Sequence, residues 1–151
     1  MTIKKWVLLG IGNELNGDDG VGPYCANNLE HPDWHTIDCA TAPENFTGAV
    51  GKLSPKGIII VDAALMGLHP GSIRIITENT IAEVGFSTHT ISLEYLIRFL
   101  KDECPDCPAT LIGVEPKSKT IGDPLSKEAL LAAHSLIDAL KKHSWQNIPV
   151  L

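Results

Sequence analysis

Apolar positions along the chain alternate between short continuous runs and segments spaced at three and four residues, the pattern of a layered α/β domain. Trp6-Val7-Leu8-Leu9-Gly10-Ile11-Gly12 reads as a first, fully buried strand. A helix over about Val21 to Leu29 follows, with Pro23 tolerated in its first turn. His35 to Cys39 reads as a second strand, and Asn45 to Leu53 as a weaker helix because Gly48 and Gly51 interrupt it. The clearest strand is Gly57 to Asp62, where Ile58, Ile59, Ile60 and Val61 are consecutive β-branched residues without alternation. That run implies burial on both faces, as at the centre of a parallel sheet. Ser72 to Ile76 follows the turn residues Gly67, Pro70 and Gly71 after a link with no amphipathic helix in it, which predicts an edge strand or antiparallel pairing.

In the C-terminal half, Leu93, Leu96, Ile97 and Leu100 share one helical face, and Ala109 to Val114 is the last strand. A helix from about Lys127 to Lys142 closes the chain, with Leu130, Ala133, Ile137 and Leu140 as its stripe and Lys141 and Lys142 at its negative end. The expectation is one domain over residues 1–151. Its fold class is α/β, a three-layer sandwich with a mostly parallel central sheet of about five strands and helices on both faces.

Composition narrows the partners. A net charge of −6 argues against non-specific nucleic-acid binding, which needs a basic surface to displace counterions. No stretch reaches the ~20 apolar residues of a membrane span, and the run Trp6 to Leu9 is too short for a signal-peptide core. A cytoplasmic monomer is expected, with Cys25, Cys39, Cys104 and Cys107 as reduced thiols. Cys104-Pro105-Asp106-Cys107 is half of a zinc or redox spacing, and without a second half a structural or incidental role is favoured over either.

Candidate chemistry gathers after the first strand, in Gly10-Ile11-Gly12-Asn13-Glu14-Leu15-Asn16-Gly17-Asp18-Asp19-Gly20-Val21-Gly22. A dinucleotide reading fails because Leu15 stands where the third glycine is required. Asp18 and Asp19 would also repel a pyrophosphate; they suit a cation or an N-cap. Asp62 ends the central strand as read from the sequence, Asp19 lies in the loop beyond the first, and His89 lies in the loop leading to the Leu93 helix. In open α/β sheets the crevice beyond the carboxyl ends of the strands is the usual ligand site. Two carboxylates and one imidazole there would make a mixed site for a borderline divalent ion with an open position. The bland readings stand beside it: Asp62 as a turn cap, His89 as a satisfied loop histidine, Asp18 or Asp19 as an N-cap. His31, His35, His69, His134 and His143 show no ligand spacing, and neither GxSxG nor HExxH occurs.

These segments resemble the maturation endopeptidases of nickel-iron hydrogenase large subunits, of the type that serves formate-hydrogenlyase (hydrogenase 3) enzymes. The resemblance rests on Gly12-Asn13 with Gly17-Asp18-Asp19-Gly20-Val21-Gly22-Pro23, on Thr41-Ala42-Pro43-Glu44-Asn45, and on Ile60-Val61-Asp62-Ala63 with Met66-Gly67-Leu68 and Pro70-Gly71. Thr88-His89 with Leu93 and Tyr95-Leu96-Ile97, then Ile112-Gly113-Val114-Glu115-Pro116, completes the series. The resemblance implies that Asp19, Asp62 and His89 sense nickel already inserted in the large-subunit precursor, and that cleavage then removes a C-terminal peptide. Many relatives carry a glycine pair where this chain has Cys39-Ala40 after Asp38, in a loop linked to substrate specificity. Two mechanisms are compatible: nickel polarises the scissile carbonyl or activates water, or it is a recognition handle while a carboxylate such as Asp38 or Asp62 moves the proton. The rival readings are a small-ligand-binding α/β protein and a binder of the hydrogenase precursor that does not cut it.

Overall fold

The computed structural model describes residues 3–86 and 91–151. Six strands, β1 (Trp6–Gly10), β2 (Trp34–Asp38), β3 (Gly57–Leu65), β4 (Ile73–Ile76), β5 (Gly85–Phe86) and β6 (Ala109–Val114), form one sheet in the order β2-β1-β3-β6-β4. β1, β2, β3 and β6 run parallel, and β4 is an antiparallel edge on β6. Helices α1 (Val21–Asn28) and α4 (Lys127–Lys141) cover one face, and α2 (Thr47–Leu53) and α3 (Leu93–Glu103) the other. The sandwich expected from the apolar pattern is the observed architecture, and the short link after the central strand leads to the antiparallel edge strand expected of it.

The two faces are filled by alternate residues of the same strands. Ile59 and Val61 pack with Val21, Ala26, Ala133, Leu136 and Leu140 on the α1/α4 side. Ile58 and Ile60 pack with Val7, Leu9, Val50, Leu96 and Leu100 on the α2/α3 side. Asp62 shares the parity of Ile58 and Ile60, so the pleat sends its side chain toward the α2/α3 side.

Boundaries differ from the expectation at two informative places, and one short strand is added. The first strand stops at Gly10, although Ile11 N still donates to Val61 O at 2.9 Å, because Gly12 turns the chain with φ +143°. The central strand runs three residues past Asp62 to Leu65, where Ala64 and Leu65 pair with β5. Asp62 therefore does not end its strand, but it does lie one residue beyond the last β1 partner, since Gly10 pairs with Val61. Two residues of β5 carry too little pattern to be read from sequence.

Cys104 and Cys107 are joined as a disulfide, against the expectation of reduced thiols. The reason is local: Cys104 ends α3, and a turn closed by Cys107 N donating to Cys104 O at 3.1 Å sets the Cα atoms 5.4 Å apart. Both residues are buried against the α2/α3 core, with Cys107 Sγ 3.1 Å from Pro55 O. Cys25 and Cys39 are free and buried. At the amino end of the sheet, Trp6 packs on Trp34 and edge-on to Trp145, with ring centroids 5.9 and 5.7 Å apart, pinning the C-terminal segment to β1 and β2.

Burial pushes the Cys25 thiol up from an ordinary value near 9 to about 12. Burial, then the nearby Asp38 and Glu44 charges, does the same to Cys39. An unfolded chain ionises these thiols first, so their contribution is complete below about pH 9 and is lost as pH rises toward 12. The slope is at most about 1.4 kcal/mol per pH unit for each thiol. Cys25→Ala should accordingly flatten the fall of the urea midpoint between about pH 9 and pH 11. An unchanged slope would mean that this thiol is not its source.

Candidate functional site

Between β1 and α1 the chain needs to rise over the end of the sheet and return to pack on it. Gly12 N donates to Ala40 O at 2.8 Å, which ties the loop to the end of β2, and Ile11 N ties it to Val61. Residues 17–20 then form a 3-10 turn that leads directly into α1. The approach of α1 is closer than any side chain would allow. A Cβ on Gly22 would sit 2.3 Å from Ile11 O and 2.5 Å from Val61 O, both backbone atoms. Two elements distant in sequence are thereby seated on the residue preceding Asp62.

Asp19 lies in that turn and is 3 % exposed. Its Oδ2 accepts from Asn13 N at 2.7 Å, while its buried Oδ1 has no hydrogen-bond partner among the described residues. Asp62, at the same end of the sheet, is wholly buried. A buried carboxylate oxygen without a donor is costly unless a cation or donor completes it. Asp19 does not cap α1, whose N-cap is Gly20, and neither does Asp18. The N-capping alternative for the acid pair is thus set aside for this helix.

Asp38, the last residue of β2, stands at the same sheet end and is exposed. Its Oδ1 accepts from Ala40 N at 2.9 Å and its Oδ2 from Asn27 Nδ2 at 3.0 Å. It forms one wall of a cleft of about 290 Å³, with Gly12, Asn13, Leu15, Pro23 and Thr41. The cleft therefore runs beside the backbone amide that holds Asp19. His89 lies outside the described residues. Among the described residues, no group of three or more His, Cys, Asp or Glu side chains comes together to hold a metal. Two of the histidines without ligand spacing have other partners: His134 Nε2 lies 2.9 Å from Tyr24 Oη, and His143 Nε2 lies 3.2 Å from Asp33 Oδ2. The His143 hydrogen bond holds the Asp33 carboxyl below the usual carboxylate range.

Comparison with known proteins decides the class. A family profile described as hydrogenase maturation protease matches residues 21–143. The chain is 34 % identical over 148 residues to a putative hydrogenase maturation protease of Methanocaldococcus jannaschii, covering 91 % of this chain and 86 % of that one. It is 42 % identical over 114 residues to the hydrogenase 3 maturation protease of Escherichia coli K12, covering 73 % and 72 % of the two. Its fold matches the solution structure of the endopeptidase HycI from Escherichia coli with a TM-score of 0.85 at 35 % identity, over 97 % of this chain and 96 % of that one.

The chain belongs to the hydrogenase maturation protease family.

It is a peptidase, and the resemblance read from its motifs is correct. Two buried acids of this protease have structural roles that the sequence did not reveal, although Asp18 stood out there as half of an acid pair. Asp18, 1 % exposed, accepts from Ser126 N and Ser126 Oγ at 2.7 Å and from Lys117 N at 2.8 Å. Glu115, 4 % exposed, accepts through Oε1 from Met66 N and Leu68 N at 2.8 Å and so shapes the loop beyond β3. Both stand inside the recognised motifs, which was the available signal, but their partners lie 47 to 108 residues away and carry no local pattern.

The protease should be intolerant of a single methyl at Gly22. Gly22→Ala forces α1 off Ile11 O and Val61 O and displaces the turn that carries Asp19. The expected outcome is a loss of about 2 kcal/mol or more in urea unfolding, with processing reduced beyond the loss of folded protein. Parent-like stability together with parent-like processing would show that the close approach is dispensable.

Proposed function

We propose that this protease removes a C-terminal peptide from the precursor of a nickel-iron hydrogenase large subunit once nickel has been inserted, with Asp19, Asp62 and His89 reading the nickel that the substrate carries. The observation that supports this reading is Asp19 Oδ1, buried and without a partner among the described residues, at the sheet end shared with Asp62. A buried carboxylate oxygen without a partner among the described residues, in a member of this family, suits a ligand that arrives with the substrate. Carboxylate oxygens with an imidazole form a donor set for a borderline divalent ion, and nickel is one.

Hydrolysis requires a water to attack the scissile carbonyl and a proton to reach the departing amine. Asp38 is the carboxylate best placed to orient that water, because it is exposed on the cleft wall while Asp62 has no contact with solvent. Its two hydrogen bonds fix the carboxylate in the cleft and leave further lone pairs for water. Nickel in the substrate supplies either polarisation of the carbonyl or a point of attachment that places it against Asp38. None of the described helices is long and apolar enough to cross a membrane. A monomer acting in the cytoplasm on the large-subunit precursor completes the proposal.

Mass spectrometry of nickel-loaded and nickel-free precursors, each incubated with the protein, tests the reading. Loss of a C-terminal peptide from the loaded form alone is expected. Asp19→Asn, Asp62→Asn and His89→Ala should each lower the rate by about 100-fold or more, the scale for removing one fixed charge or ligand at a reacting centre. Undiminished cleavage by His89→Ala would overturn the ligand assignment. Equal cleavage of both precursor forms would overturn the gating by nickel. A cognate precursor bound but never cut would return the protein to a binding role.

A further inference from the structure

Asp18 is the most heavily hydrogen-bonded side chain in the described part of this protease, and nothing in the proposed reaction uses it. Its Oδ1 accepts from Ser126 N at 2.7 Å. Its Oδ2 accepts from Ser126 Oγ at 2.7 Å, Lys117 N at 2.8 Å and Ser118 N at 3.4 Å. The backbone repeats the connection: Asp18 N donates to Ser118 O at 2.8 Å, and Gly17 N donates to Asp123 O at 3.2 Å. Ser126 is itself the N-cap of α4 and accepts from Ala129 N at 3.1 Å. A relay thus runs from the first turn of the C-terminal helix through Ser126 to a carboxylate in the turn that carries Asp19.

All of these donors are uncharged, so the carboxylate is held by directed N–H and O–H bonds rather than by a salt bridge. Directed bonds fix orientation, which a diffuse charge pair does not. The neighbouring Asp19 has one oxygen held by Asn13 N and the other without a partner among the described residues. Its aim therefore depends on how rigidly residues 17–20 are set. We propose that Asp18 is a positioning residue for the reaction: it locks this turn onto the 117–126 segment so that Asp19 Oδ1 is presented to the metal borne by the substrate. This rests on the reading of Asp19 given above.

Asp18→Asn is the discriminating substitution. Both carboxylate oxygens face N–H donors, so in either orientation the amide nitrogen meets a donor and one side of the lock is lost. The experiment compares Asp18→Asn, Asp19→Asn and the core variant Leu136→Ala with the parent. Each is measured for melting temperature, kcat and KM on nickel-loaded precursor, and the ratio of affinities for loaded and nickel-free precursor. Asp18→Asn should lower kcat/KM per folded molecule by at least about 10-fold and reduce the preference for loaded precursor by a similar factor, the scale for losing a support of a metal ligand. Leu136→Ala, packed in the α1/α4 core, should lower the melting temperature and leave that preference intact.

If Asp18→Asn does not fold, Ser126→Ala, which deletes one donor to Oδ2, should show a smaller loss of the same preference. A parent-like preference in Asp18→Asn, or in Ser126→Ala where only that variant folds, while Asp19→Asn is inactive overturns the positioning role and leaves Asp19 standing. Full activity in Asp19→Asn overturns both.

Discussion

The close seating of α1 on the ends of β1 and β3 is the constraint on which the site depends. Gly22 puts backbone against backbone, with Ile11 O and Val61 O nearer than any Cβ would permit. From that contact follow the height of the 17–20 turn, the distance that the loop of residues 11–16 must bridge, and the arrival of Asp19 at the sheet end where Asp62 is buried. The sheet contributes by register: β1 stops opposite Val61, so the next residue of β3 meets the loop rather than a strand. An acid at position 62 is tolerable there because the ladder has opened on that side, while β6 still supports the other through Gly113.

Buried acids are otherwise expensive, and this protein compensates them through backbone amides from remote segments. Asp18 draws on residues 117–126, and Glu115 draws on the amides of Met66 and Leu68. Together they close a ring around the carboxyl end of the sheet: the loop after β1 is tied to the segment after β6, and that segment to the loop after β3. Each acid in this ring is completed by protein donors, whereas Asp19 Oδ1 has no partner among the described residues. That contrast separates Asp19 from Asp18 and Glu115, which are equally buried but brace the sheet edge.

The layers of the fold could be read from sequence because their signals are local. The β-branched run 58–61 announces a doubly buried strand, and Leu93, Leu96 and Leu100 announce one helical face, each within a few residues. Site geometry was readable only as far as strand ends can be guessed. By sequence Asp62 ends its strand, whereas the strand continues to Leu65 because β5 and β6 extend its pairing, a non-local cause. The acid pair Asp18-Asp19 was conspicuous as a pair, yet its division of labour was not. One acid faces the 117–126 segment and the other the cleft side of Asn13, and that choice is made by partners about a hundred residues apart. The disulfide has the opposite character: its cause is local, the turn after α3 that sets Cys104 beside Cys107, and compartment alone does not reveal it.

A protease that acts only after metal insertion must bind two forms of one precursor differently, and only interactions made with the metal itself contribute to that difference. Flexible acids would spend much of the metal's binding energy on their own ordering. Here the ordering is complete beforehand: Asn13 holds one oxygen of Asp19, the 117–126 segment holds its neighbour, and Gly22 fixes the base on which both stand. On the proposed reading, the bond that Asp19 Oδ1 forms with nickel is then almost wholly differential between loaded and empty precursor. On the same reading, this rigidity accounts for the proposed supporting acid adjoining the proposed sensing acid in sequence. Adjacent residues of a tight turn project in different directions, so one can be anchored inward while the other is presented to the substrate.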